Sequence, residues 1–145
     1  NNNKSTRELS TFDNPNNMEY SYHLDFETSD DIETLSDVEL SNGKLVLSSG
    51  KTSGVMTSDS LTMTETITSV ELRFNGNDDC DICTFQVSCD NGDHWETVSP
   101  GYKGNPGTQL DISNTGTQVK IKANVIANAS KTSPEIESLV LLCKS

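Results

Sequence analysis

The sequence Val38-Glu39-Leu40-Ser41-Asn42-Gly43-Lys44-Leu45-Val46-Leu47 carries the clearest structural signal in the chain. Its central dipeptide, Asn-Gly, suits a type I′ turn, in which both central residues need a positive φ. A two-residue turn at this place pairs position 40 with 45 and position 38 with 47. The four apolar side chains then share one face of an antiparallel hairpin, so the turn and the hydrophobic pattern predict the same register.

Alternating segments extend this β pattern along the chain in both directions. Every second residue from Met18 to Phe26 is apolar, which is typical of a half-buried strand. Further strands are predicted at residues 55–57, 61–66, 70–74, 83–87, 95–98, 110–112, 119–125 and 136–143. Residues 30–35 can form at most one helical turn and are predicted to be a loop. About nine short strands without an amphipathic helix predict an all-β fold, an antiparallel β-sandwich of the jelly-roll type.

Length and composition fit one domain with an arm in front of it. A chain of 145 residues can form a single core without division. Residues 1–17 lack periodicity and are rich in Asn, Ser and Thr, so they are predicted to be a flexible arm or linker, and residues 18–145 a single β-sandwich domain. The chain starts at Asn1 without a methionine, which suggests a processed product or part of a longer protein.

The charge and hydropathy of the chain exclude two classes of partner. Twenty-two acidic and ten basic side chains give a net charge of −12, which repels a phosphate backbone, so no nucleic-acid partner is expected. No apolar stretch approaches the ~20 residues that span a bilayer, so no membrane insertion is expected. We expect an extracellular, cell-surface or virion-surface location.

The segment Ser88-Cys89-Asp90-Asn91-Gly92-Asp93-His94-Trp95 resembles the Asp-box, Ser-x-Asp-x-Gly-x-Thr-Trp, with His94 in the usual Thr position. In such a hairpin the Asp carboxylate accepts turn amide protons, Gly takes a positive φ, and Trp lies beneath the turn. This role is structural. Sialidase-like propellers carry several such boxes and this chain has one, so the resemblance does not imply sialidase activity.

Residues 85–98, 119–125 and 133–139 together resemble jelly-roll modules of phage and viral tail or fibre proteins and of large extracellular proteins. The shared pattern is a strand, a Ser-x-Asp-x-Gly hairpin with Trp, an alternating strand, and Thr-x-Pro-x-Ile before a closing strand. The chain departs from it in its cysteines, and in having Cys143 where an aromatic residue is expected. The resemblance implies roles in display, attachment or carbohydrate binding.

Recognisable catalytic signatures are missing from the sequence. Of the two histidines, His23 lies on the outward side of a predicted strand, and His94 lies inside the predicted hairpin. Neither belongs to a motif that pairs a nucleophile with a base. No glycine-rich phosphate loop occurs, and no carboxylate pair can be singled out among the acidic residues. We therefore expect a protein that is not an enzyme.

Four cysteines are candidates for disulfides: Cys80, Cys83, Cys89 and Cys143. Cys83 and Cys89 lie six residues apart on one presumed strand, about 20 Å, which is too far for a disulfide. The final strand of such a sandwich can pass near the strand that begins at Cys80, so Cys80 or Cys83 is predicted to pair with Cys143, and Cys89 is the alternative partner. Zinc ligation and buried free thiols are the other interpretations, although structural zinc sites usually show two close pairs of ligands.

Two further kinds of site are predicted, one for calcium and one for glycosylation. Asp78, Asp79 and Asp81 offer hard oxygen ligands for a calcium ion, and the alternative is that no ion binds there. No other cofactor is expected. The sequons beginning at Asn3 and Asn128 are candidate N-glycosylation sites.

Ligand-binding candidates are chosen by the expected exposure of aromatic residues. Tyr102 lies in a loop rich in Gly and Pro and is the best candidate; Asp93 and His94 are further candidates. The other large rings, those of Tyr20, Tyr22 and Trp95, are expected to serve the core and the hairpin.

Two functions fit these features. The first is a non-catalytic structural or attachment module of a virion appendage or other extracellular assembly, whose partners are the other subunits. The alternative is a carbohydrate-binding module of a secreted or surface protein, with a glycan as partner and an exposed aromatic platform.

Overall fold

The computed structural model describes residues 14–145. The predicted arm therefore lies mostly outside the described residues, as does the sequon at Asn3. The strands are β1 (Tyr20–Asp25), β2 (Ile32–Ser36), β3 (Val38–Ser41), β4 (Lys44–Leu47), β5 (Ser53–Ser58), β6 (Leu61–Gly76), β7 (Thr84–Ser88), β8 (Glu96–Val98), β9 (Gly101–Tyr102), β10 (Leu110–Ile126) and β11 (Glu135–Lys144). One 3-10 helix spans Asp78–Cys80. Within the described range, no helix is long and apolar enough to cross a membrane.

The strands form two sheets that face each other across one core. Sheet A contains β1, β11, β6, β4, β3, β9 and the first part of β10. Sheet B contains β2, β5, β7, β8 and the second part of β10. Strand pairing is antiparallel except where the short β9 runs parallel to β6. The prediction of an all-β, antiparallel sandwich is confirmed.

Strand β10 belongs to both sheets. It pairs with β6 between Leu110 and Val119, and with β5 and β7 from Lys120 onward. The register shifts around Gly116, where a Cβ atom would collide with the carbonyl oxygen of Cys89. A residue without a side chain therefore lets the strand pass from one sheet to the other.

The Asn42-Gly43 hairpin has the predicted register. Leu40 pairs with Leu45 and Val38 with Leu47. The φ angles of 54° at Asn42 and 76° at Gly43 are those that a type I′ turn requires. Turn chemistry and side-chain pattern act over the same few residues here, so the local sequence is sufficient to set the pairing.

Three strand predictions need correction. Residues 61–66 and 70–74 are parts of the single strand β6, and residues 110–112 and 119–125 are parts of β10. Pairing with neighbouring strands continues between these parts, because backbone hydrogen bonds do not depend on apolar side chains. The loop prediction for 30–35 is wrong, since β2 starts at Ile32. Among residues 14–145, this strand pairs only with β5, and four of its five residues are exposed, so no alternating pattern marks it.

The core contains the largest fully buried side chains, among them Tyr22, Phe26 and Phe85. Tyr20 and Trp95, which were expected to be buried, are both partly exposed. Tyr20 donates a hydrogen bond of 2.6 Å to Glu65, so its hydroxyl stays at the surface. Residues on the inward side of a strand near its end can keep contact with solvent, and strand parity alone overestimates their burial.

A buried ion pair lies on β6, on the face of sheet A opposite to the core residue Leu72. The Nε of Arg73 lies 2.6 Å from Oε2 of Glu71, and both side chains are almost fully buried. The same carboxylate accepts hydrogen bonds from the backbone N–H of Gly107, at 2.9 Å, and from the side-chain amide of Asn16, at 2.9 Å. Glu71 thus fixes the loop between β9 and β10 against sheet A.

Candidate ligand-binding cavity

A cavity of about 480 Å³ opens at one end of the sandwich. Three connections meet there: the β6–β7 connection with the 3-10 helix, the segment from β8 to β9, and the β10–β11 loop. Its lining residues are Phe74, Pro100 and Tyr102 on the apolar side, Asn77, Asp78, Asp81 and Lys131 on the polar side, and Cys80 and Cys83. The cavity therefore combines residues from the ligand, calcium and disulfide predictions.

Tyr102 forms a fixed aromatic wall of this cavity. Strand β9 places it beside Phe74, and the two ring centroids are 4.9 Å apart. The Tyr102 hydroxyl donates a hydrogen bond of 2.8 Å to the carbonyl oxygen of Gly76 and lies 3.4 Å from a carboxylate oxygen of Asp78. Because these contacts fix both ends of the side chain, the ring presents a preorganised, partly exposed surface to the cavity.

The three candidate calcium ligands do not converge. Asp79 lies outside the cavity lining and accepts a hydrogen bond from the backbone N–H of Ser133, at 3.0 Å. Asp81 accepts one from Asn128, at 3.2 Å, and lies 3.8 Å from the Lys131 ammonium group. Across residues 14–145, no three His, Cys, Asp or Glu side chains are grouped so as to hold a metal ion.

Asn128, the second candidate for glycosylation, stabilises the loop beside the cavity. Its side-chain oxygen accepts hydrogen bonds from the backbone N–H groups of Ser130, at 3.0 Å, and Lys131, at 2.8 Å. Its amide nitrogen donates to Asp81. These bonds close a turn that directs Lys131 toward the cavity.

The predicted cross-link to Cys143 is wrong. The four cysteines are free thiols. The Cys80 sulfur lies 3.2 Å from the carbonyl oxygen of Glu135, whereas Cys143 lies eight residues farther along β11, about 26 Å away on an extended strand. That distance exceeds the reach of a disulfide several times. Cys83 directly precedes β7 and Cys89 directly follows it, so these two cysteines lie at opposite ends of that strand.

Burial makes two of the thiols unreactive. It raises the pKa of Cys89 to about 12, and it raises the pKa of the fully buried Cys143 far above the usual thiol value. Cys80 and Cys83 differ because they influence each other. The Cys80 thiol donates a hydrogen bond of 3.2 Å to the carbonyl oxygen of Glu135, and the interaction between the two cysteine side chains lowers the pKa of Cys83 to about 7 and raises that of Cys80.

A second cleft, of about 520 Å³, lies on the other side of Phe74 and β9. Its polar lining includes Asn75, Lys103, Glu137 and Ser138, and Val140 provides apolar surface. Phe74 lines both spaces. The two spaces are therefore neighbours.

Asp93 and His94 are not in either space. They lie in the turn after β7, whereas the cavity is at the start of that five-residue strand, about 17 Å away. In this turn Asp90 accepts a hydrogen bond of 2.9 Å from the His94 backbone N–H, and Gly92 has a φ of 90°. The half-buried Trp95 contacts the turn, and the Lys122 ammonium lies 4.1 Å from its ring centroid. These contacts connect the turn to sheet B.

The sequence signals identified some cavity residues and not others. Tyr102 was identifiable as an aromatic residue in a Gly-rich loop, and Asp78 and Asp81 as an acidic cluster. Lys131 and Asn77 had no distinguishing signal, because they reach the cavity only through the meeting of connections that are distant in sequence.

Comparisons with known proteins give a likeness of fold. No protein-family model matches the chain, and no curated protein matches its sequence. One similar solved structure is described as a low-affinity xylan-binding module, CBM86, from Roseburia intestinalis, with 16% identity, a TM-score of 0.48, and coverage of 86% of this chain and 96% of that one. Another is a family two carbohydrate esterase from Cellvibrio japonicus, with 9% identity and a TM-score of 0.45 over 86% of this chain. The chain spans about a third of the esterase, 34% of its length, and neither protein is described as phage or viral.

Proposed function

We propose that the protein is a non-catalytic glycan-binding module whose ligand occupies the cavity beside Tyr102. The observation that carries this proposal is the pairing of a fixed aromatic wall with acidic, amide and ammonium groups in one space of about 480 Å³. A sugar ring needs both kinds of surface, since its C–H face packs on apolar or aromatic groups and its hydroxyls need hydrogen-bond partners.

The polar groups of the cavity suit hydroxyl groups. Carboxylates only accept hydrogen bonds, and an ammonium group only donates them. Asp78 and Asp81 thus act as acceptors and Lys131 as a donor around the same space. A sugar hydroxyl can donate to one group and accept from another, so vicinal hydroxyls match this set better than a purely apolar ligand does.

The charge of the protein narrows the class of glycan. A net charge of −12 creates a negative electrostatic potential around the whole molecule, and this potential disfavours the binding of polyanionic polysaccharides. The cavity itself has two lining carboxylates and one ammonium group. We therefore propose a neutral oligosaccharide, long enough to extend from the cavity past Phe74 into the second cleft.

The experiment is a glycan-array screen of the parent protein, followed by calorimetric titration of the best neutral oligosaccharide. Replacing Tyr102 by Ala is expected to weaken binding about tenfold or more, because loss of an aromatic contact of about 1.4 kcal/mol changes Kd tenfold. Asp81→Asn should also weaken binding, while the melting temperature shows that the variants remain folded.

The matched control is Trp95→Ala, which removes a partly exposed aromatic ring at the far end of β7. It should leave glycan affinity within twofold of the parent. Loss of binding in Trp95→Ala, with Tyr102→Ala unchanged, would move the site to sheet B and overturn the assignment. An array with no neutral glycan bound would reject the function itself.

The expectation of a virion appendage receives no specific support from these observations. The glycan-binding proposal keeps one part of that expectation, namely that the module acts through its surface and catalyses no reaction. A surface module that binds glycans can also attach a larger assembly to a cell.

A further inference from the structure

We propose that Cys80 and Cys83 form a reactive dithiol that exchanges with small disulfides and closes to an intramolecular disulfide at the cavity wall. This inference does not depend on glycan binding. It concerns a modification site in which Cys83 is the attacking thiol and Cys80 is the resolving one.

Two successive backbone turns place Cys80 and Cys83 near each other. The N–H of Cys80 bonds to the carbonyl oxygen of Asn77 at 3.2 Å, and the N–H of Cys83 bonds to that of Cys80 at 3.1 Å, so two successive 3-10-type turns contain the pair. In such turns, side chains three residues apart are eclipsed and about 6 Å apart along the axis. This spacing falls within the range of about 4.4–6.8 Å between α-carbons in disulfides.

The two thiols differ in chemical character. The Cys83 sulfur accepts a hydrogen bond from the backbone N–H of Ile126 at 3.4 Å. The neighbouring Cys80 thiol and this bond favour a thiolate on Cys83 and hold its pKa below the usual thiol value. Cys80 is 3% exposed and keeps its proton, and its sulfur contacts the carbonyl oxygen of Glu135. A nucleophilic thiolate beside a protonated partner is the arrangement that Cys-x-x-Cys redox pairs use.

The cavity supplies access. Both cysteines line it, and Cys83 is only partly buried. A small disulfide, R–S–S–R, can reach Cys83 through this opening. Cys89 and Cys143 line neither the cavity nor the second cleft and are almost fully buried.

The reaction balances without another oxidant. The Cys83 thiolate attacks one sulfur of R–S–S–R, which breaks the S–S bond, releases one RS⁻ and leaves a mixed disulfide on Cys83. Cys80 then loses its proton to solvent and attacks the Cys83 sulfur, which releases the second RS⁻ and forms the Cys80–Cys83 bond. The protein dithiol is oxidised by two electrons, and the small disulfide is reduced to two thiols.

The test uses the native protein with excess dithionitrobenzoate, an aromatic disulfide whose released thiolate is coloured. The parent should release two equivalents of thiolate rapidly, carry no adduct, and lose the mass of two hydrogen atoms. Peptide mapping should place the new bond between Cys80 and Cys83. Denatured protein should expose all four thiols to the reagent.

Variants separate the two roles. Cys80→Ser should release one equivalent and retain a stable mixed disulfide on Cys83, whereas Cys83→Ser should lose the rapid reaction. Cys89→Ser serves as the matched control and should behave like the parent. A parent protein that reacts no faster than Cys83→Ser, that keeps an adduct on Cys83, or that joins Cys83 to Cys89 would overturn the proposal. Glycan binding plays no part in these measurements, so they fail or succeed independently of the proposed function.

Discussion

The carboxylate of Asp90 lies 2.6 Å from Nδ1 of His94, within the turn that joins β7 and β8. Burial opposes ionisation of Asp90, but hydrogen bonds from the His94 ring, the His94 N–H and the Ser88 hydroxyl outweigh it and lower its pKa to about 2. The hydrogen bond to Asp90, with its negative charge, raises the pKa of His94 above 6.5. Each group thus favours the charged form of the other.

This pair predicts a pH window for the stability of the hairpin. The Asp90 contribution is present above pH 3.8 and is lost as pH falls toward about 2, because its pKa is depressed in the folded state. The His94 contribution is complete below pH 6.5 and is lost as pH rises through the elevated pKa. Thermal unfolding of parent and His94→Gln should therefore differ most between pH 3.8 and 6.5, and the difference should shrink as pH rises through the elevated pKa of His94. A difference that stays constant as pH rises would show that the imidazole charge does not stabilise the turn.

Trp95→Ala should destabilise the protein by about 1–2 kcal/mol. A fully buried aromatic residue usually costs about 3–5 kcal/mol when it is replaced by Ala. The ring is only half-buried, and its contacts are with the turn and with the Lys122 ammonium group, so part of that stabilisation is missing. Chemical denaturation measures the difference, and Phe85→Ala, which removes a fully buried ring, provides the reference loss of about 3–5 kcal/mol. Equal losses in the two variants would contradict the partial burial of Trp95.

Glu71→Gln should cost about 3–5 kcal/mol, because it leaves the Arg73 charge in a buried position without its carboxylate. The variant should also loosen the β9–β10 loop, which Glu71 holds through the Gly107 N–H. The control is Asp37→Asn, which breaks the exposed pair with Lys51 and should change stability by less than about 1 kcal/mol. Urea unfolding of both variants makes the comparison. Similar small losses would mean that the buried pair is not a stabilising contact.

Gly101→Ala should disrupt the cavity wall. A Cβ atom on Gly101 would collide with the carbonyl oxygen of Asn105 and lie 2.6 Å from the carbonyl carbon of Pro106. Backbone atoms cannot yield as a side-chain end can, so we expect a loss of about 1–3 kcal/mol. Displacement of Tyr102 should follow. Tyrosine fluorescence and melting temperature report both effects. An unchanged melting temperature in Gly101→Ala would show that the loop can rearrange freely.

Local signals in the sequence predicted the parts of the fold that one short segment forms by itself, because the interacting residues there are close in sequence. Leu40 and Leu45 are joined by their turn, and the alternation from Met18 to Phe26 follows one strand. Strand β2 had no such signal, because its exposed residues gain order from pairing with β5 rather than from burial. The extent of β6 and β10 likewise depends on neighbouring strands that supply hydrogen bonds to polar stretches.

The candidate site was harder to predict for the same reason. Tyr102 and the acidic residues before Cys83 carried local signals, but their meeting depends on the parallel pairing of β9 with β6, which no short segment encodes. The Cys143 prediction failed because it assumed proximity between the closing strand and the start of β7 without fixing which end of that strand was near. The carbonyl oxygen of Glu135, not Cys143, is the part of β11 that Cys80 contacts.

The passage of β10 through both sheets bears on how the protein opens. Its amides from Lys120 to Ile126 lie between β5 and β7, while its earlier part is bonded to β6. Opening either sheet as a unit must break the hydrogen bonds that β10 makes to the strands of that sheet, so hydrogen–deuterium exchange at the centre of β10 should require opening of the whole molecule. By contrast β2, which is bonded along one side only, should exchange through local fraying. The two sheets should therefore withstand mechanical pulling as one cooperative body.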